Sequence, residues 1–303
     1  MPRVSILFTC YNHIKYVPVA WQSILDQTFQ DYEIIAIDDG STDGTREWLE
    51  ALQNATVIFN EKNLGTYGTL NVGLAAATGE YIAVFNDDDV WLPTKLEKQV
   101  AMLDSNPKIG LVHTDGYFID GDGNERHDSP LGFDFPRTET GDILLALIYA
   151  NSIIASAVLA RKQCFDELGG FNEAYFGSGD WEMWYRICEK YDAGYLQEPL
   201  TLYRVHGANA SHKLERIWRD DERLREWIDG RIPGYSGRFG EAEITAAQAH
   251  NQACLGTVKV LGGKAAAGRA HYKRSLSLEP GRWKSRLRIA ASYLPKEVFR
   301  KLL

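Results

Sequence analysis

Within residues 1–91, four short apolar runs each stop on polar residues, and helical patterns separate them. The runs cover residues 4–8, 32–37, 57–59 and 81–85. Each suits a buried strand and is too short for an ordinary helix. Between them Val17, Ala20, Trp21, Ile24 and Leu25 recur at helical spacing, a second helix is expected from Arg46, and a third over residues 67–77. Strand and helix alternating in this way predicts an α/β fold, a parallel sheet covered by helices. In such sheets ligands bind beyond the carboxyl ends of the strands. Three of the four runs end there on small, polar or acidic residues, at Thr9, Asp38 and Asn86. One sheet edge is therefore the expected site.

The fourth run ends on Asn86, Asp87, Asp88 and Asp89 before Val90 and Trp91. Adjacent carboxylates repel, and burying three of them without a cation is costly. A strand ending this way suggests a hard divalent metal such as Mg²⁺ or Mn²⁺, bound by one or two carboxylates and substrate phosphates. The plainer alternative is a solvated acidic loop leading into a helix near Pro93. Gly40 and Gly44 allow close approach of a ligand to the loop after the second strand. No GxGxxG or GxxxxGK[ST] pattern is present, which argues against a dinucleotide cofactor and a P-loop ATPase.

Further along, a helix is expected over residues 93–103 and a strand over 109–113, with a hairpin turn at 119–124 and an irregular stretch at 131–140. The apolar segment 143–160 contains Asn151, Ser152 and Ser156 and is flanked by Asp142 and Arg161. It reads as a buried helix running into a buried strand rather than a membrane span. A short helix follows at 161–168. Asp180 precedes a helix over 181–190, where it serves either as an N-cap or as a carboxylate general base beside a pocket. Residues 200–206 read as a strand ending on His206, a structural residue or a nitrogen ligand for the Asp cluster. Solvated helices through Asp229, a Pro/Gly linker at 231–240, an Ala-rich helix pair at 241–278 and a tail at 282–303 complete the chain. The tail mixes Trp283, Leu287, Ile289, Tyr293, Leu294, Val298, Phe299 and Leu302 with Lys and Arg, as in a basic amphipathic helix lying on an anionic membrane.

The net charge of −8 argues against nucleic acid as a partner, but it hides an asymmetry. From Lys264 onward eleven Lys/Arg face two Glu, a net +9 against −17 for the residues before it. Cys10, Cys164, Cys188 and Cys254 form no CxxC pair, which fits a reducing compartment, and the first residues show no secretory h-region. The expected location is cytoplasmic, with residues 282–303 either packed on the domain with their basic face in water or in peripheral contact with the inner membrane face.

Five ordered signatures resemble glycosyltransferase family 2. They are Val-Ser-Ile-Leu-Phe-Thr-Cys-Tyr-Asn (4–12), Asp-Asp-Gly-Ser-Thr-Asp (38–43), Asn-Leu-Gly through Thr-Gly-Glu-Tyr-Ile (63–82), Asn-Asp-Asp-Asp-Val-Trp (86–91), and Gly-Gly-Phe to Asp-Trp (169–181) with Tyr-Arg-Val-His (203–206). The resemblance covers residues 4–211. It implies a GT-A fold, with a Rossmann-like, mostly parallel central sheet flanked by helices, here carrying a helical C-terminal extension. It also implies a sugar-nucleotide donor, Mn²⁺ or Mg²⁺ as cofactor and an inverting transfer.

By position, the resemblance implies that Thr9, Tyr11, Asn12, Asp38, Asp39, Asn63, Gly65 and Asp87 contact the nucleotide, with the Tyr11 ring against the base and Asp39 near the ribose. Asp88 corresponds to the direct metal ligand, His206 to the residue completing the metal sphere, and Asn86 replaces the first Asp of the usual DxD. Asp180 corresponds to the base that deprotonates the acceptor hydroxyl, and Trp181 is the candidate sugar-stacking ring. Two departures stand out: Gly179 where the family usually has Glu, and Leu70 where many members have Arg.

The expected organisation is a transferase domain at residues 1–215, divided into a nucleotide half (1–91) and an acceptor half (92–215), followed by a helical region at 216–303. The expected function is single-sugar transfer, with UDP-sugar as the first choice of donor, to a glycan, lipid-linked glycan or glycoprotein hydroxyl, in polysaccharide biosynthesis or a related process. The alternatives are a non-catalytic nucleotide-sugar-binding module and a sugar nucleotidyltransferase. The latter would be expected to carry a glycine-rich basic loop after the first strand, which residues 9–12 lack.

Overall fold

The computed structural model describes residues 1–128, 138–151, 153–207, 209 and 212–302. The chain divides into two units, Met1–Leu144 with Asn151–Asn209, and Leu145–Ala150 with Ala210–Leu303.

The first unit is built on one sheet of nine strands, with β1 to β6 at Val4–Cys10, Tyr32–Asp38, Thr56–Phe59, Tyr81–Asn86, Val90–Trp91 and Ile109–Ile119. The remaining strands are β7 (Glu125–Arg126), β8 (Leu159–Arg161) and β9 (Asp192–Arg204). The spatial order is β3-β2-β1-β4-β8-β6-β9-β5, with β7 paired to β6. The β3-β2-β1-β4 half is wholly parallel, as the strand–helix alternation predicts. Helices α1 (Val17–Leu25), α2 (Thr45–Glu50), α3 (Gly65–Ala76) and α4 (Lys95–Ser105) follow its strands and β5. Val4, Ile6 and Phe8 of β1 pack with Ala83 and Phe85 of β4 and with Val17, Trp21 and Ile24 of α1 in a continuous core. Burial of both faces explains why these strands read as near-continuous apolar runs.

Beyond β4 the sheet becomes mixed, because β8 runs antiparallel to both β4 and β6. The segment 143–160 contains the expected helix, α5 (Leu144–Tyr149), then a 3₁₀ turn at Ala155–Ala157 before β8. Helices α6 (Lys162–Leu168) and α7 (Gly179–Lys190) lie between β8 and β9.

Three local expectations require correction. Strand β9 starts at Asp192 rather than near Leu200, and its pairing with β6 shifts register between Thr114↔Leu196 and Asp115↔Pro199. Pro199 has no N–H to donate, so the strand bulges where the apolar pattern breaks. Helix α7 begins two residues earlier than expected, with Ser178 at the N-cap, so Asp180 lies inside its first turn. The tail forms two short helices, α11 (Trp283–Ala291) and α12 (Lys296–Lys301), rather than one. Pro295 caps the second and separates them, since it cannot continue the first. Most of the irregular stretch at 131–140, and Ser152 within 143–160, lie outside the described residues, as does Leu303 of the tail.

The second unit is helical. Its α8 (Leu214–Asp229) leads through a 3₁₀ turn at Ile232–Tyr235, in the region expected to be a linker, to α9 (Glu241–Leu261) and α10 (Ala265–Leu278). The last two approach closely: a Cβ on Gly268 would lie 2.6 Å from the Gly256 carbonyl oxygen. Tyr272 and Phe299 are fully buried beside Val260 and Leu261. Among the described residues, no helix is long and apolar enough to cross a membrane.

Candidate active site

The loops after β1, β2, β3 and β4 share one edge of the sheet and are tied to one another by side chains. Thr9 sits in β1 between Ile37 and Asn86. Beyond it Asn12 takes a left-handed backbone, φ 54°, which Asn tolerates better than most residues. Asn12 Oδ1 accepts from the Thr42 amide at 2.7 Å, and the Asn12 amide donates to Ser41 Oγ at 3.0 Å. The Ser41 amide in turn donates to the buried Asp38 carboxylate at 3.2 Å. The Tyr11 ring is 44% exposed at this edge.

Asp39 is committed to the chain itself. Its oxygens accept from the amides of Leu64 at 2.8 Å and Gly65 at 3.0 Å, and from Asn60 Nδ2 at 3.0 Å. It thereby satisfies donors at the start of α3, where negative charge is also favourable. Asn63 and Gly65 complete this anchor: Asn63 Nδ2 donates to the Asp39 carbonyl at 3.2 Å, and Asn63 Oδ1 accepts from Gly65 at 3.1 Å.

The three consecutive carboxylates are separated rather than pooled. Asp87 accepts the Tyr11 amide at 3.0 Å and pairs with His13 Nδ1 at 2.7 Å. Burial disfavours charge on His13, but the Asp87 hydrogen bond and the charges of Asp87, Asp88 and Asp43 outweigh it and raise the imidazole to about 9. Asp88 meets His206 Nε2 at 3.0 Å and accepts from Asn209 Nδ2 at 3.3 Å. Asp89 is fully buried and accepts from Ser156 Oγ and from the Arg204 amide at 2.9 Å. Burial, then the charge of Asp88, push its carboxyl well up.

Sheet register brings Asp88 to His206. Strand β5 pairs antiparallel with the end of β9, Val90 opposite Leu202, so the residues before Val90 lie against those after Leu202. Arg204 locks this approach: its Nε donates to the Asp88 carbonyl at 2.7 Å and its Nη1 to the Asp120 carbonyl at 3.0 Å. The Arg204 guanidinium and the His206 ring each lie 4.8 Å from the Tyr16 ring.

Asp88, His206 and His13 place ligating atoms within 4.8 Å of one another. One carboxylate and two imidazoles suit a borderline divalent ion such as Mn²⁺ better than Mg²⁺, which favours oxygen alone. His13 Nδ1 is already held by Asp87 at 2.7 Å, whereas Asp88 and His206 Nε2 meet directly at 3.0 Å. Asn86 stands at the end of β4 with its amide on Ser156 Oγ.

Asp180 lies on α7. Burial raises its carboxyl to about 6, against hydrogen bonds from the Trp181 amide, Tyr67 and Asn151 that favour the charged form. Trp181, the expected stacking ring, is only 5% exposed and Trp184 is fully buried, so both rings serve packing here. The amphipathic helix turns them inward.

Sequence reasoning missed His13, Tyr16, Tyr67, Arg204 and Asn209. His13 and Tyr16 follow the first signature directly, and Arg204 and Asn209 flank His206, so proximity to the motifs was the available signal. Tyr67 gave none beyond a place on a helix.

Residues 5–168 match the family model for glycosyl transferase family 2. The chain belongs to glycosyltransferase family 2. An uncharacterized glycosyltransferase of Nostoc sp. (strain PCC 7120) is 30% identical over 221 residues, covering 68% of this chain and 66% of the relative. The chain thus matches slightly under two thirds of that relative's length. The crystal structure of S. aureus TarS 1–349 is similar at TM-score 0.65 and 18% identity, covering 99% of this chain and 92% of TarS 1–349, and that protein has also been solved with UDP-GlcNAc. The mannosyltransferase PcManGT from Pyrobaculum calidifontis, in complex with GDP-Man and Mn²⁺, is similar at TM-score 0.59 and 19% identity, covering 96% and 84%. These likenesses establish the GT-A architecture with its helical C-terminal region.

Proposed function

We propose that this chain transfers one sugar from a nucleotide-sugar, UDP-linked in the first instance, to a hydroxyl of a glycan, lipid-linked glycan or glycoprotein, with inversion. The observation that carries the reading is the strand-end geometry, where Asp88 meets His206 Nε2 at 3.0 Å and the exposed Tyr11 ring stands beyond β1. Asp180, held by Tyr67 and the Trp181 amide, is assigned as the base that takes a proton from the attacking hydroxyl. A carboxylate base on the acceptor side is what a single inverting displacement requires.

Thr9, Tyr11 and Asp38 are assigned to the nucleoside, the exposed Tyr11 ring being free to stack on the base. Asp87 keeps the Tyr11 loop in place through the Tyr11 amide and His13. Asp88 and His206 would hold Mn²⁺ or Mg²⁺, which when bound offsets the charge developing on the departing diphosphate. The solved neighbours, with UDP-GlcNAc in one and GDP-Man in the other, support a nucleotide-sugar donor and leave the base to be determined. The basic tail is read as a peripheral membrane contact, which suits a lipid-linked acceptor. Residues 1–215 are assigned the transferase role and 216–303 the supporting one.

The test is titration calorimetry of UDP, GDP and dTDP with and without Mn²⁺, repeated on Asp88→Ala. Metal-dependent binding of one nucleotide that disappears in the variant supports the assignment. No nucleotide binding under any condition refutes it, and metal-independent binding that survives the substitution favours a binding module.

A further inference from the structure

Within the second unit, His250 and Cys254 of α9 face the first turns of α11 across a cavity of about 220 Å³, which Arg282, Lys284, Ser285 and Arg288 also line. Its charge is unbalanced. Arg282 pairs with Glu279 at 2.6 Å, whereas Lys284 and Arg288 have no carboxylate partner among the described residues. His250 adds a polar wall without adding charge. Its Nε2–H donates to the Tyr149 carbonyl at 3.0 Å, leaving Nδ1 to accept from Arg282 Nη2 at 3.4 Å. Burial, then the charges of Arg225, Arg282 and Arg288, lower this imidazole to about 4, so it stays neutral near pH 7.

Cations gathered around a cavity repel one another, and an anion placed among them relieves that repulsion while accepting several charge-assisted hydrogen bonds. A water occupies about 30 Å³ of liquid, so the cavity has room for a phosphodiester rather than a single small ion. Its setting identifies the source. Trp283 and Leu287, one helical turn apart on α11, are each 60% exposed, and Tyr293 and Leu294 are exposed just beyond them. Apolar side chains exposed beside cationic ones match the interface of an anionic bilayer, where rings and aliphatic chains enter and Lys or Arg meet phosphates.

We infer that this cavity is a phosphate-group site for an anionic phospholipid headgroup, with Trp283 and Leu287 entering the bilayer beside it. This rests on the peripheral-membrane reading of the tail and gives it a defined site in place of a diffuse charge.

The full chain is partitioned onto vesicles of phosphatidylglycerol and phosphatidylcholine (3:7), with phosphatidylcholine alone as reference. Lys284→Gln with Arg288→Gln removes two cations that hold no carboxylate partner among the described residues, so folding is not at risk. Partition is expected to fall about thirtyfold, from about 1 kcal/mol per cation at the surface. Lys273→Gln with Arg274→Gln, an equal charge loss on α10, is expected to change it by less than about threefold, and Trp283→Ser to weaken it about tenfold.

Equal losses in the two double variants would reduce the site to general charge and overturn the inference. So would an absence of binding to the anionic vesicles, or binding of soluble glycerophosphate without any vesicle partition. Nucleotide binding, measured on the same samples, separates failure of this site from failure of the transferase reading.

Discussion

The Tyr67 hydroxyl lies 3.3 Å from Asp180 Oδ1, and the Tyr67 ring occupies the space that a side chain on residue 179 would need. A Cβ at Gly179 would stand 2.7 Å from the Tyr67 ring. The absence of the usual family Glu at this position is therefore coupled to Tyr67, which reaches Asp180 from α3. The ring is buried and packs on Phe171 with centroids 6.0 Å apart, so it has little freedom to move aside. Gly179→Ala should consequently destabilise the fold by about 1–3 kcal/mol through overpacking, although Ala in a helix is ordinarily worth about 0.5–1 kcal/mol over Gly. Thermal melting checks the sign, and a parallel fall in transfer rate checks that displaced Tyr67 disturbs Asp180.

Asp180 sets the expected pH dependence. Its carboxyl is raised to about 6 by burial, and the base form is the ionised one. Transfer rate should therefore be flat above about pH 7 and fall about tenfold per unit well below 6. The Tyr67 hydrogen bond favours the charged carboxylate, so Tyr67→Phe should move this limb to higher pH, whereas a purely structural role for Tyr67 would leave the limb in place. Asp180→Asn should cost about 10²–10⁴ in rate. Stability has the opposite sign: a carboxyl raised in the fold favours folding below its unfolded value and loses that advantage as pH rises through about 6. The melting temperature of Asp180→Asn relative to the parent should accordingly rise between pH 5 and pH 8.

The parallel half of the sheet was legible because it depends on strand ends, whereas the approach of His206 to Asp88 was implied by the family resemblance. Apolar runs mark the strands, and the polar residue after each run marks the edge. Loops were harder to read. His13 matters through Asp87, 74 positions away, and no periodicity reports on that contact. The three Asp looked like one cluster because adjacency in sequence hides the divergence of side chains at a turn. The first half of β9 was hidden by Gln197, Glu198 and Pro199 at a bulge. Asp39 looked like a ligand contact because its role as an anchor depends on amides at Leu64 and Gly65, in a loop some 25 residues away.

The separation of Asp88 from Asp89 predicts opposite phenotypes for neighbouring residues. Asp89 accepts from the Arg204 amide and Ser156 Oγ in a fully buried setting, so Asp89→Ala leaves donors unsatisfied and should cost about 2–4 kcal/mol. Asp88→Ala loses the contacts to His206 and Asn209 but also removes a charge that acts against ionisation of Asp87 and Asp89, so stability should change by less than about 1 kcal/mol while Mn²⁺ affinity is lost. Denaturant unfolding and metal titration on the two variants test this. Equal destabilisation would mean that Asp88 is structural as well.

Asp38 and Asp39 present the same contrast at the neighbouring loop. Asp39 uses both oxygens to hold the amides that open α3, together with Asn60. Its removal resembles loss of a helix cap, and Asp39→Ala should lower stability by about 1–2 kcal/mol. Nucleotide affinity, measured well below the melting temperature, should stay within about threefold. Asp38 accepts only the Ser41 amide among the described contacts, leaving acceptor capacity for a donor group on a base or ribose. Asp38→Asn keeps the shape and should weaken nucleotide binding by about tenfold, the scale of one hydrogen bond to a charged group. Calorimetry on both variants at matched folded fraction decides the assignment: a larger affinity loss for Asp39→Ala than for Asp38→Asn would return Asp39 to the binding site.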